Sequence, residues 1–297
     1  MATLYTQQAK NIRKTWLLMT VFLVMVIAIG YAVAWYLGNS AILYLAIIFA
    51  LVMNVGSYWF SDKLVLKMTN AKPATLESNR ELFNVVENLA ITAGLPMPAV
   101  YIVNDPSPNA FATGRNPEHA VVAVTTGLLQ ILDRNELEGV VAHEMAHIGN
   151  RDMLVMTVAV VLAGFVAILA DLLTRSLYFS NDDRKGSPWF MILGLVGIIL
   201  APLAAKLIQM AVSRKREYLA DATGALLTRY PEGLASALEK ISADPRPLKH
   251  ASTATAHLFI SDPYKGSRGI MQKIGGLFQT HPPAADRVAK LRGMDIG

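Results

Sequence analysis

The chain holds 297 residues, 53% of them hydrophobic and only 16% charged, with a formal net charge of +5. An ordinary soluble domain is about 45–50% apolar and about a quarter charged, so these values exclude both a plain soluble globule and a disordered chain. Cysteine is absent, which removes disulfides, thiolate nucleophiles, iron–sulfur clusters and cysteine-held zinc together and leaves His, Asp and Glu as metal ligands.

No charged side chain occurs between Lys14 and Asp62. Inside that gap, residues 16–37 and 40–60 form two apolar runs parted by Gly38-Asn39. About 20 apolar residues cross a bilayer core as a helix, so residues 1–60 predict a transmembrane hairpin. The first run is longer than a signal-peptide core and a second span follows at once, which argues against a cleaved leader.

Residues 61–152 turn polar. Ser78-Asn79-Arg80-Glu81 reads as a capping box for a helix carrying Leu82, Val85, Val86 and Leu89, ended by Gly94 and Pro96. Short apolar runs at 99–103, 110–113 and 120–124, broken by turn residues, predict a small β-sheet. Residues 133–150 predict a helix with Asp133 as N-cap and Glu136 at its third position.

Residues 153–212 predict a second hairpin, with spans at 153–173 and 189–212. The charges Asp171 and Lys206 fall near span ends. Residues 213–297 open with helices at 214–227 and 231–241 and continue as Pro-, Gly-, Ser- and Thr-rich loops to 283.

The expected fold is therefore a mostly α membrane protein, with four transmembrane helices in two hairpins plus a polar domain containing a small β-sheet. Lys10, Arg13, Lys14, Lys63, Lys67, Lys72, Arg151, Arg214, Lys215 and Arg216 flank the spans on one side. By the positive-inside rule that side is cytoplasmic, with both termini and both polar segments on it. The positive charge is thus juxtamembrane, next to a lipid bilayer, and no basic-aromatic stripe points to nucleic acid.

The chemistry lies in His143-Glu144-Met145-Ala146-His147. Residues i and i+4 share a helix face, so both imidazoles can reach one ion while Glu144 holds a water beside it. The pattern suits a single zinc ion with three protein ligands and an open position. Glu217 supplies the third ligand. Asp221, four residues on and on the same face, can accept the N–H of a ligand histidine. Spans three and four, as an antiparallel hairpin, would return His147 and Glu217 to the same place.

These stretches, with the opening hairpin, Asn109–Gly114, 120–127, 149–152, 216–221 and Thr280-His281-Pro282, resemble the HtpX-type membrane zinc metalloproteases, relatives of the CAAX prenyl proteases. The resemblance covers essentially the whole chain. It implies a gluzincin-like cytoplasmic domain in a multi-pass protein of the bacterial inner membrane. It also implies a stress-response role in quality control, with misfolded or damaged membrane proteins as polypeptide substrates. Asn109, Ala110, Phe111, Ala112 and Thr113 resemble the edge strand on which substrate backbone pairs. His281 resembles a histidine that approaches the zinc or the reacting oxygen, and a plain loop histidine is the alternative. His119, His250 and His257 read as surface or structural residues.

Three other readings compete. An intramembrane metalloprotease would carry its motif inside an apolar span, whereas charges flank this one. A CAAX-type prenyl-peptide protease would need more spans to enclose a lipidated peptide. A non-catalytic membrane scaffold with a structural zinc site would have no need of Glu144.

Overall fold

The computed structural model describes residues 4–178, 213–249, 255, 258–261 and 282–295. The first apolar run belongs to a longer helix, α1 (Leu4–Leu37), which turns through Gly38 at φ 65° into α2 (Ala41–Trp59). At 1.5 Å per residue α1 is about 51 Å long, well over the about 30 Å of a bilayer core. Among the described residues, Gln8–Leu37 and Ala41–Trp59 are the two single helices long and apolar enough to cross a membrane. On α1, Asn11, Thr15, Leu18 and Phe22 recur at helical spacing and are buried, while Trp16, Leu17, Val24 and Trp35 are exposed.

The third apolar run is also one helix, α7 (Asp152–Tyr178). Its first half packs against protein: Leu154, Val155, Val158, Ala159 and Leu162 are buried with Leu18 and Phe22 of α1. The expected fourth span at 189–212 lies outside the described residues, as do His250, His257 and His281.

Between α2 and α7 run α3 (Ser61–Met68), β1 (Ala71–Pro73), α4 (Arg80–Ala93), β2 (Ala99–Val103), β3 (Ala110–Thr113), β4 (Val121–Thr125), α5 (Thr126–Ile131) and α6 (Arg134–Gly149). The sheet order is β1-β2-β4-β3, with β2 and β4 parallel and both outer pairs antiparallel. The patterning missed β1, whose Lys72 and Pro73 suit only an edge strand. The expected strand at 120–124 sits one residue later.

Alternate residues of this sheet serve two cores. Val100, Ala110, Ala112, Val122 and Val124 meet α4 and α6. Val103, Phe111 and Ala123 meet Val65 of α3, Met156 and Val160 of α7, and Phe259. Both faces are covered, which is why β3 and β4 are buried throughout.

The start of α4 also differs from expectation. α4 begins after Asn79 with no side-chain cap, because the Ser78 hydroxyl is engaged with Thr75. α6 begins as read, with Asp133 and Glu136 forming both halves of a capping box. Glu136 also accepts from Ser236 (2.6 Å) and Lys240 (2.7 Å). That ties α9 (Pro231–Ala243), which follows α8 (Arg214–Thr228), to the base of α6. A last helix, α10 (Ala284–Arg292), closes the domain against α9 and α8.

Candidate active site

The histidine pair sits on the last two turns of α6, and the site is buried: His143 is 1% exposed, Glu144 2%, His147 5% and Glu217 3%. Glu217 arrives on the first turn of α8, which crosses α6 closely. Gly224 permits that approach, since a Cβ there would stand 3.0 Å from the His143 backbone nitrogen.

The two Nε2 atoms lie 3.1 Å apart. The Glu217 carboxylate is 3.5 Å from Nε2 of His147 and 3.9 Å from Nε2 of His143. Bonds of 2.0–2.1 Å to a tetrahedral zinc place ligand atoms about 3.3 Å apart. The donor set and its spacing fit such an ion, and His143, His147 and Glu217 could hold a metal between them.

Each imidazole is oriented from behind. His143 Nδ1 lies 2.9 Å from Asp221, as the spacing suggested. Asp221 is gripped by Arg287 of α10 through Nη2 (2.6 Å) and Nε (2.8 Å). His147 Nδ1 lies 3.2 Å from Asp152, a partner the sequence reading missed. In an unbroken helix, residues five apart point about 140° away from each other. Here α6 and α7 meet at 83°, with Arg151 in a left-handed conformation at φ 59°, and the bend returns Asp152 to His147. Arg216 lies 3.3 Å from the same carboxylate. Sequence spacing linked neither arginine to its histidine, because Arg216 lies 69 residues from His147 and Arg287 lies 144 from His143.

The rings differ electrically although both are fully buried. Burial lowers the His143 pKa to about 4 and outweighs the hydrogen bond to Asp221. At His147 burial also opposes the charge, but the Asp152 hydrogen bond and the nearby Glu217, Asp152 and Glu144 carboxylates outweigh it and raise the pKa to about 9. Asp221 is opposed by burial yet lowered to about 2 by Arg287 and the His143 hydrogen bond.

β3 is an edge strand that runs beside α6. The Asn109 carbonyl accepts from Thr125 of the sheet, so alternation turns the backbone groups of Ala110 and Ala112 outward. The Ala110 carbonyl accepts from Ile260 N–H (3.0 Å), and the Asn109 side chain bonds both backbone groups of Ser261. The edge is therefore enclosed, with Asn109, Ala110, Phe111, Ala112 and Thr113 at 0–5% exposure. Sequence patterning shows the strand but not its cover. His119 is on the surface, where it contacts Arg115 and Asn116.

A helix presenting two imidazoles one turn apart, a third carboxylate at matching distance and an edge strand alongside define a metallopeptidase of the His-Glu-x-x-His class. Comparison with known proteins agrees: residues 76–295 match peptidase family M48, and the chain belongs to that family and is a metalloprotease. It is 46% identical over 304 residues to a protease HtpX homolog of Caldanaerobacter subterraneus subsp. tengcongensis, covering 99% of each chain. It is 48% identical over 290 residues to a protease HtpX homolog of Pyrococcus furiosus, covering 96% of each. The HtpX resemblance is thus borne out. The crystal structure of S. mikatae Ste24p shares the fold at a TM-score of 0.50 and 16% identity, over 97% of this chain and 67% of that one.

Proposed function

We propose that the chain is a membrane-anchored zinc endopeptidase working at the cytoplasmic face of the bacterial inner membrane. The observation that carries this reading is the convergence of His143, His147 and Glu217 within 4.8 Å, next to the buried Glu144. In this reading residues 1–60 and 153–212 are the membrane hairpins. Residues 61–152 and 213–297 are the two halves of one protease domain, and both termini are cytoplasmic. The two apolar helices α1 and α2 support membrane attachment. Substrates are polypeptides, with misfolded or damaged membrane proteins as the natural class. The likeness to Ste24p speaks for the fold alone and brings no prenylated substrate to this chain.

Zinc, when bound, supplies Lewis acidity that brings the pKa of water to about 7 and polarises the scissile carbonyl. Asp221 and Asp152 keep each Nδ1 protonated, so both Nε2 lone pairs face inward. Glu144 accepts the proton of the attacking water on its carboxylate and delivers it to the leaving amine. The substrate backbone pairs along β3 at the outward groups of Ala110 and Ala112, which selects an extended chain rather than particular side chains. To do so it displaces Ile260 from Ala110. His281 is assigned to stabilising the tetrahedral oxyanion.

The test is cleavage of an unfolded protein such as casein by the purified full chain, with and without chelator and added zinc. Glu144→Gln keeps the size of the side chain but cannot take the proton. Cleavage is expected to fall by at least about a hundredfold while zinc stays bound. Wild-type turnover in that variant would sink the mechanism.

A further inference from the structure

The cytoplasmic extension of α1 reaches the metal site from the membrane side. Asn11 is 2% exposed and lies on the same stripe of α1 as the apolar Leu18 and Phe22. A buried amide on such a stripe costs stability unless it is fully hydrogen-bonded. Its bonds all go to the neighbourhood of His147. Asn11 Nδ2 donates to Asp152 Oδ1 (2.7 Å) and to the Asn150 carbonyl (2.9 Å). Asn11 Oδ1 accepts from Arg216 Nη1 (3.3 Å). One turn earlier, Gln8 donates to the Gly149 carbonyl (2.7 Å). These two carbonyls end α6 and would otherwise lack an intrahelical donor.

The Asp152 carboxylate is thus held on one oxygen by Asn11 and Arg216, which leaves the other for His147 Nδ1. A carboxylate free to rotate would hold the imidazole less well, and loss of such outer partners typically weakens metal binding 10- to 100-fold. We propose that Asn11 is a positioning residue of the metal site. The first membrane helix then belongs to the catalytic apparatus through Asn11, Asp152 and His147, in addition to anchoring it. This rests on the metalloprotease reading above.

The experiment measures zinc affinity of the full-length protein in detergent by competition with a chromophoric chelator. It also records the visible absorption of the cobalt-substituted site. Asn11→Leu is expected to weaken zinc about tenfold and to shift the cobalt bands. Thr15→Ala, on the same buried stripe, removes a hydroxyl that donates to the Asn11 carbonyl (3.1 Å) and is expected to keep wild-type affinity. In an Asp152→Asn background, Asn11→Leu is expected to cost nothing further, because its effect passes through Asp152.

Wild-type zinc affinity in Asn11→Leu overturns the proposal, whatever the spectrum. So does an equal loss with and without Asp152→Asn, since that marks general loosening of the helix contact. Should the leucine variant fail to accumulate, Asn11→Ala carries the same expectation. Failure of the parent reading shows separately. A wild type that binds no zinc overturns both readings, whereas full cleavage by Glu144→Gln overturns only the proteolytic one.

Discussion

The two histidines of the motif are equivalent in sequence and unlike in their surroundings. Behind His143 stand Asp221 and Arg287, both from the C-terminal part of the protease domain. Behind His147 stand Asp152, Arg216 and Asn11, which lead across the bend between α6 and α7 to the apolar helix α1. One imidazole is oriented by the C-terminal helices and the other at the junction of α6, α7 and α1. Their titration follows the local charge balance. The Asp221 carboxylate is closely matched by Arg287, and burial wins at His143. His147 sees three carboxylates, and charge wins over burial.

The largest effect is expected at Arg287. Arg287→Met leaves Asp221 buried without its cation, and removing one partner of such a pair costs about 3–5 kcal/mol. Unfolding in detergent by denaturant is expected to show that loss. Adding Asp221→Asn is expected to restore much of it, because the uncompensated charge is gone. A fully stable Arg287→Met single variant would show that Asp221 is not ionised there.

The carboxylates themselves sharpen the contrast. Asp221→Asn and Asp152→Asn are each expected to weaken zinc about 10- to 100-fold, by competition titration. Only Asp152→Asn should abolish the dependence on Asn11. If Asp221→Asn abolishes it too, the two sides of the site are one network.

Gly224→Ala acts on the shared crossing of α6 and α8. The added methyl meets backbone atoms of Ala142 and His143 at 3.0–3.2 Å, so α8 must shift by a few tenths of an ångström. A cost of about 1–2 kcal/mol in stability is expected, with weaker zinc binding because Glu217 moves relative to both rings. Unaltered stability and affinity would mean the crossing has slack.

The pH dependence separates the rings in the metal-free protein. His147 is raised from 6.5 to about 9, so its contribution to stability is present below pH 6.5 and is lost as pH rises through 9. Asp221 is lowered from 3.8 to about 2, so its contribution is present above pH 3.8 and is lost as pH falls through 2. Between pH 6 and 8, zinc binding is expected to release about one proton from the histidines, from His147, since His143 is already neutral. Calorimetry in buffers of different ionisation enthalpy measures this. Release of two protons from the pair would erase the distinction.

The smallest effect is expected at the bend. Arg151 has φ 59°, which glycine adopts freely, so Arg151→Gly should change stability by less than about 1 kcal/mol. Arg151→Val should destabilise and weaken zinc through Asp152. A harmless valine would show that the bend does not need this backbone conformation.

What the sequence determined by itself was local. Two apolar runs were enough for α1 and α2, because crossing a bilayer is a matter of length and hydropathy. A capping box placed the start of α6, and spacing of four placed His143 beside His147 and Glu217 beside Asp221, because one turn of helix is a fixed geometry. Strands β2, β3 and β4 were legible from short apolar runs between turns. The tertiary structure alone decided the rest. β1 is held by pairing with β2, not by its own propensity. The cover on β3 comes from residues 260 and 261, about 150 positions away. Asp152 becomes a partner of His147 only because the chain bends after Gly149, and Asn11 and Arg287 reach the site across 141 and 66 positions to their carboxylates. Such contacts carry no periodicity. They exist because a buried charge or amide must find a partner wherever packing places one, and packing is a property of the whole chain.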